Sequence, residues 1–448
     1  MSSIYIFTYI MAFLFGFGQM LTLNISSYVT VADFVVWLPM PYYLFSCRRV
    51  LLSKSGLIVA GLIAIYLLSV LLSCYLAGTS YDQALRGISR VGFTAGYMVF
   101  FVWLFINNPK SLWAMLLGAA IGTPIIIIRP GAMLERYMAE EGYGRWSAIY
   151  MPIIKNILLL VSCMVYTKSR MTAALIFLTT FILLTPFVPR SNIIVGIIVA
   201  CIIMYMAIFS VRRHRLRKEE RRNRFIGSVA LGFAILVVLY IGYIFAAPAG
   251  LMGEYQREKY YTQASTKWGV MPWGLLLSGR TDFVAALIAV SDHPIIGMGS
   301  WNSAEWMKYK RDAWFIAGAS VSDAQLGAFN ARELSHHSTL MGEWAEGGIG
   351  VVFFWGFTLI CSFKLASSLI SNDNILLPFF LLSLAYFYWN LLFSPLNFDL
   401  RMQTGLILSV YLVQLSPQGP KYPVIIEWIP KQYRRLMTMR RAGMRPTP

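Results

Sequence analysis

Asn192-Ile193-Ile194-Val195-Gly196-Ile197-Ile198-Val199-Ala200-Cys201-Ile202-Ile203-Met204-Tyr205-Met206-Ala207-Ile208-Phe209-Ser210-Val211 runs directly into Arg212-Arg213-His214-Arg215-Leu216-Arg217-Lys218-Glu219-Glu220-Arg221-Arg222-Asn223-Arg224. The first part holds no charged residue, and a helix needs about 20 such residues to cross the hydrocarbon core of a bilayer. The second part cannot enter that core, and the bias of Lys and Arg toward cytoplasmic loops places it inside the cell. One stretch therefore supplies both a membrane span and its direction.

The rest of the chain has the same character. It is 448 residues long, 58% hydrophobic and 13% charged, with a formal net charge of +18 and a mean hydropathy of +0.62. A soluble protein needs a largely polar surface, so this composition predicts an all-α polytopic membrane protein. Apolar runs of sufficient length predict about twelve transmembrane helices, at roughly 4–23, 28–46, 56–77, 90–106, 111–128, 151–167, 171–186, 192–211, 225–246, 340–363, 375–394 and 402–416. Met1-Ser2-Ser3-Ile4 lacks the basic region and small-residue cleavage site of a signal peptide, so the first run is expected to be a true span.

Counting outward from 212–224 puts Arg48, Arg49, Lys54, Lys110, Lys168, Arg170 and Lys364 inside, with both termini cytoplasmic. The chain then divides into spans one to nine (1–247), a periplasmic loop (248–339), spans ten to twelve (340–416) and a basic cytoplasmic tail (417–448). The loop is the one long segment outside the membrane, and such loops are usually functional. Spacing of Phe283, Ala286, Leu287 and Val290 predicts an amphipathic helix over Thr281–Ser291, followed by a glycine turn at Pro294-Ile295-Ile296-Gly297-Met298-Gly299. The tail, with Lys421, Lys431, Arg434 and Arg435 among Trp428 and Tyr433, reads as an interfacial segment on anionic lipid.

Nothing in the sequence suggests nucleic acid, and no internal repeat is visible. Cys47, Cys74, Cys163, Cys201 and Cys361 stand singly in or beside apolar runs, without the spacing of a disulfide framework or a metal site. No motif of a metal- or nucleotide-dependent enzyme is present. The anomaly is cationic: Arg86, Arg90, Arg129, Arg136, Arg145, Arg190, Arg280, Arg332 and Arg401 all fall on the outer face. An anionic substrate there would account for them, because the guanidinium fork matches phosphate oxygens and stays charged when partly buried.

These arginines differ in what they suggest. Arg86 and Arg90, after Asp82 in a short loop, read as headgroup anchors or local partners, and Arg136 and Arg145 as partners of Glu135, Glu140 and Glu141. Arg129, in Arg129-Pro130-Gly131, suits anchoring and substrate binding equally. Arg190, between two closely spaced spans, and Arg280, at the start of the loop helix, are the stronger candidates. His336 and His337 lie at the outer end of the tenth span, with Glu343 and Glu346 following. A neutral imidazole beside arginines is suited to general-base work.

In order, Pro189-Arg190-Ser191, Ser278-Gly279-Arg280-Thr281-Asp282, Pro294 to Gly299, and His337-Ser338 with Trp344, Glu346 and Gly348 resemble the O-antigen ligase and O-antigen polymerase superfamily of bacterial membrane glycosyltransferases. The resemblance covers the multi-span layout, with specific residues only in about 186–350. It implies a GT-C-like inverting enzyme of the bacterial inner membrane that needs neither metal nor other cofactor. Its donor would be an undecaprenyl-diphosphate-linked glycan, and its acceptor another glycan or the lipid A core. Arg190 and Arg280, with Arg129, would hold the diphosphate, and His337 would activate the acceptor, supported by Ser338 and Glu346.

Many relatives have His-Asn where this chain has His337-Ser338, and the doublet also permits a register in which His336 is the base. A flippase or transporter is the competing class. It predicts charges within spans near the midplane, where Asp33 is the main candidate. A non-catalytic assembly partner would leave the arginines and histidines dispensable.

Overall fold

The computed structural model describes residues 3–19, 21, 29–124, 144–184, 190–209, 281–318, 338–371, 376–394 and 398–415, together with parts of 227–271. Among them the regular structure is helical and no strand forms. The helices are α1 Ser3–Gly18, α2 Val31–Trp37, α3 Met40–Leu51, α4 Lys54–Leu76, α5 Tyr81–Asn107, α6 Leu112–Gly122, α7 Gly144–Tyr166, α8 Arg170–Leu183 and α9 Arg190–Phe209. They continue with α10 Glu254–Ala264, α11 Thr281–Asp292, α12 Ser303–Ala317, α13 Thr339–Gly347, α14 Ile349–Ser371, α15 Leu377–Phe393 and α16 Phe398–Leu415.

Three of these, α4, α5 and the Ile349–Leu369 part of α14, are long and apolar enough to cross a membrane. Shorter apolar helices accompany them, including α1, α8 and α15. Local chemistry sets their starts. Ser53 opens α4 by accepting the Gly56 N–H at 3.2 Å. Ser80 opens α5 with a reciprocal cap, the Gln83 side chain returning to the Ser80 N–H at 2.9 Å.

Several expected boundaries are corrected. The span expected at 28–46 is two helices, α2 and α3, which part around Pro39 and Pro41 because proline cannot donate to a preceding turn. The span expected at 340–363 is α13 and α14, divided at Gly348, whose φ of 77° no β-carbon-bearing residue adopts without strain. Most consequential is α5, which starts at Tyr81, not near 90. Its 27 residues extend about 40 Å at 1.5 Å each, beyond a hydrocarbon core of about 30 Å. Arg86 and Arg90 therefore ride on a helix, not in a loop.

The core forms by close approach of helix backbones. An ideal β-carbon on Gly118 of α6 would lie 2.2 Å from the Phe13 carbonyl oxygen of α1, and one on Gly122 would lie 2.3 Å from that of Phe17. Small residues permit such contact where lipid supplies no hydrophobic drive between helices. Beside this pair, Phe15, Tyr43, Tyr97, Phe100 and Trp103 pack as one buried aromatic cluster. The loop helix expected over Thr281–Ser291 is present as α11, and it is joined by α12, which the spacing argument did not anticipate. Ala285, Ala286 and Ala289 let the two pack closely, and α11 rests on α13.

Candidate functional site

The geometry of the site begins with α13. Ser338 caps it, accepting the Met341 N–H at 3.3 Å. The Thr339 hydroxyl donates to the Ser394 carbonyl at the end of α15 at 2.8 Å. At its other end α13 is bonded to the glycine turn that precedes α12. The Met298 N–H donates to the Ala345 carbonyl at 2.8 Å, Gly299 to Glu346 at 3.1 Å and Ile349 to Ile295 at 3.0 Å. Gly297 and Gly299 have φ of 83° and 85°, conformations that only glycine takes freely. The indole of Trp344 adds a bond to the Pro294 carbonyl at 2.7 Å.

A buried charge cluster anchors this assembly to α4 and α5. Arg90 donates to Glu343 at 2.6 Å and to Glu346 at 2.9 Å. The side chains are 14%, 5% and 1% exposed respectively, so the attraction is little screened by solvent. Tyr66 donates to the other Glu343 oxygen. The Trp301 N–H donates to Glu346 at 3.2 Å, and the Arg90 guanidinium lies 4.9 Å from the Trp301 ring centroid. Ser69 and Ser73 of α4 donate to the carbonyls of Gly347 and Glu346. Every partner a buried carboxylate needs is thus drawn from elements distant in sequence.

Two sequence expectations change as a result. Arg90 is not a headgroup anchor and does not pair with a neighbour in sequence; only Arg86 does so, with Asp82 at 2.9 Å on an exposed face. Glu343 and Glu346 both pair with Arg90, a partner that the sequence reading did not give them. Glu346 holds α13 to α5 through Arg90, and Ser338 caps the same helix. Two acidic residues three apart in an otherwise apolar run, opposite an arginine, are the signal that could have exposed this cluster.

Arg129, Arg280, His336 and His337 lie outside the described residues, and Arg190 is described only as the first backbone position of α9. Their chain neighbours converge on the second half of α15. Ser338, next to His337, donates to the Leu391 carbonyl at 3.5 Å. Phe283, three residues after Arg280, packs its ring 6.5 Å from that of Phe393. Asn192, two residues after Arg190, accepts a bond from Tyr386 at 3.1 Å. Lys310 of α12 also meets Asp282 at 3.6 Å, pinning the first turn of α11. In the same module burial, and after it Asp292, holds the Tyr309 phenol well above its ordinary range, so it stays neutral.

Asp33 is buried and fully engaged. Thr30 donates to it through its N–H at 2.7 Å and its hydroxyl at 3.0 Å, and Tyr97 donates to the second oxygen. Arg401 is buried as well, 4.9 Å from the Phe93 ring centroid, and its charge acts on Tyr97. Both residues tie α2, α5 and α16 together. Among the described residues no group of three His, Cys, Asp or Glu could hold a metal ion. No protein-family model matches this chain, and no curated protein matches it in sequence.

Proposed function

We propose that the chain is a polytopic inner-membrane glycosyltransferase of the O-antigen polymerase and ligase type, acting on its periplasmic face. In this reading twelve spans, both termini cytoplasmic, carry residues 248–339 as the periplasmic loop. The observation that carries it is the convergence of Asn192, Phe283 and Ser338 on α15. Three segments spread from position 192 to position 338, each adjoining a residue proposed for chemistry, meet along two turns of one helix.

Arg190 and Arg280, with Arg129, hold the diphosphate of an undecaprenyl-diphosphate-linked glycan. An acceptor hydroxyl oxygen attacks the anomeric carbon from the face opposite the phosphate. The bond from that carbon to the phosphate oxygen breaks, and its electron pair leaves with undecaprenyl diphosphate, whose growing charge the guanidinium groups offset. The hydroxyl proton passes to His337, or to His336 in the alternative register. The product bond is inverted.

Polymerisation of lipid-linked repeats is favoured over ligation because no feature of the chain speaks for a lipid A core site. The test uses the full chain in detergent with a defined undecaprenyl-diphosphate oligosaccharide, beside His337→Ala, Arg280→Ala and Arg190→Ala. Chain lengthening in the parent, without core lipid, and its loss in the variants is expected. Transfer unchanged in all three variants overturns the assignment, and transfer that requires core lipid makes the chain a ligase.

A further inference from the structure

Lys155 interrupts the apolar run of α7, where a charge is costly without a partner. Its partner is Asp399 in the first turn of α16, 2.9 Å away. This pair is unlike the Arg90 cluster. Arg90, Glu343 and Glu346 are nearly closed from solvent and joined by two bonds, whereas Lys155 and Asp399 are 21% and 32% exposed and joined by one. A partly exposed single bond contributes little to stability, so it serves poorly as a scaffold and exchanges easily. The ammonium has three donors and gives one to Asp399.

The surroundings of Lys155 point to what would exchange with Asp399. The ammonium lies 5.4 Å from the ring centroid of Tyr386, whose hydroxyl donates to Asn192 at 3.1 Å. One ring therefore separates Lys155 from the first turn of α9, which opens with Arg190. The starts of α9 and α16 both lie at this level, and the positive ends of their dipoles favour an anion. The cleft under the pair, about 40 Å³, has room for water and not for a larger group, so a ligand meets Lys155 from its exposed side. Lysine is a compact point charge on a flexible stem, able to swing from a carboxylate to a phosphate oxygen. We infer that Lys155 binds phosphate beside Arg190, leaving Asp399 when the phosphate arrives and returning when it departs. The inference rests on the reading of Arg190 as a diphosphate ligand.

The experiment is isothermal titration calorimetry on the full chain in neutral detergent, with farnesyl diphosphate as the probe. Loss of one charge-assisted bond weakens binding roughly tenfold or more, and that is expected of Lys155→Met. Lys155→Arg should stay close to the parent, and Asp399→Asn, which releases the lysine, should keep or tighten binding. Each variant is checked for the parent's elution and melting temperature. If Lys155→Met does not fold, Lys155→Met combined with Asp399→Asn, which leaves neither charge unpaired, takes its place and should bind as weakly. A merely structural pair would weaken binding alike in Lys155→Met and Asp399→Asn. That result, unchanged binding in Lys155→Met, or no binding by the parent overturns the inference.

Dioctanoylphosphatidylglycerol separates the two sources of phosphate. A loss in Lys155→Met confined to farnesyl diphosphate assigns the residue to the lipid carrier of the glycan; an equal loss with the phospholipid assigns it to headgroup phosphate as well. Intact glycan transfer with unchanged binding in Lys155→Met overturns the role of Lys155 alone. Binding that depends on Lys155 in a chain that transfers no glycan overturns the enzyme reading alone.

Discussion

Arg90 and Glu346 stand 256 positions apart in the chain and 2.9 Å apart in space. That one ion pair, with Glu343 completing it, joins the projecting end of α5 to the helix that follows the histidine pair. Removing one member of a buried charge group leaves the others desolvated and unpaired, at a cost of about 3–5 kcal/mol. Arg90→Ala should lose that much stability, read by unfolding in mixed SDS micelles. A loss below about 1 kcal/mol would show that the carboxylates find other partners.

Tyr66 contributes a single neutral donor to the same cluster. Tyr66→Phe should cost about 1–3 kcal/mol, less than Arg90→Ala, because one buried acceptor is left unmet while the charges stay paired. A double-mutant cycle with Glu343→Gln should show coupling between the two. Strict additivity would mean that the hydroxyl acts elsewhere.

Gly348 separates α13 from α14 with φ 77° and ψ −166°, and a β-carbon there would lie 2.1 Å from the Ile295 carbonyl oxygen. Gly348→Ala combines backbone strain of about 1–3 kcal/mol with that overlap. It should lower the melting temperature and, by loosening the 294–300 turn, reduce glycan transfer. Full retention of both would show that the break can straighten.

Asp33 is a structural acceptor by its bonds to Thr30 and Tyr97. Asp33→Asn should lose about 1–3 kcal/mol of stability yet leave glycan transfer by the folded fraction within about twofold of the parent. Abolished transfer in a well-folded Asp33→Asn protein would place this carboxylate in the chemistry and not in the scaffold alone.

In the proposed reaction guanidinium groups carry the charge of the leaving diphosphate. Transfer should therefore persist in excess EDTA, measured as glycan length on gels. A reaction that stops with EDTA and resumes with added magnesium would require the charge to be carried otherwise.

Helix type and approximate position were legible where apolar runs were long, as over α4, α9 and α15, because a helix apolar around its whole circumference, against lipid or packed neighbours, leaves a composition signal. Breaks were less legible. Pro39 and Pro41 carry a local signal for the division of α2 from α3 that the reading of 28–46 as one span passed over, and Gly348 resembled any glycine in an apolar run until Ile295 was seen against it. Ser338 as a cap could be read locally; Arg90 as the partner of Glu343 and Glu346 could not. Local spacing favoured Asp82 for both arginines, and only Arg86 took it.

By itself the sequence determined the helical character of the described residues and the concentration of polar residues between 248 and 339, because hydropathy is a property of each segment alone. Tertiary structure alone decided which charges meet. Arg90, Glu343 and Glu346 share a site only because α5 extends past its apolar part and α13 turns back against α4. The coupling of two such distant segments depends on packing, and packing is a property of the whole chain.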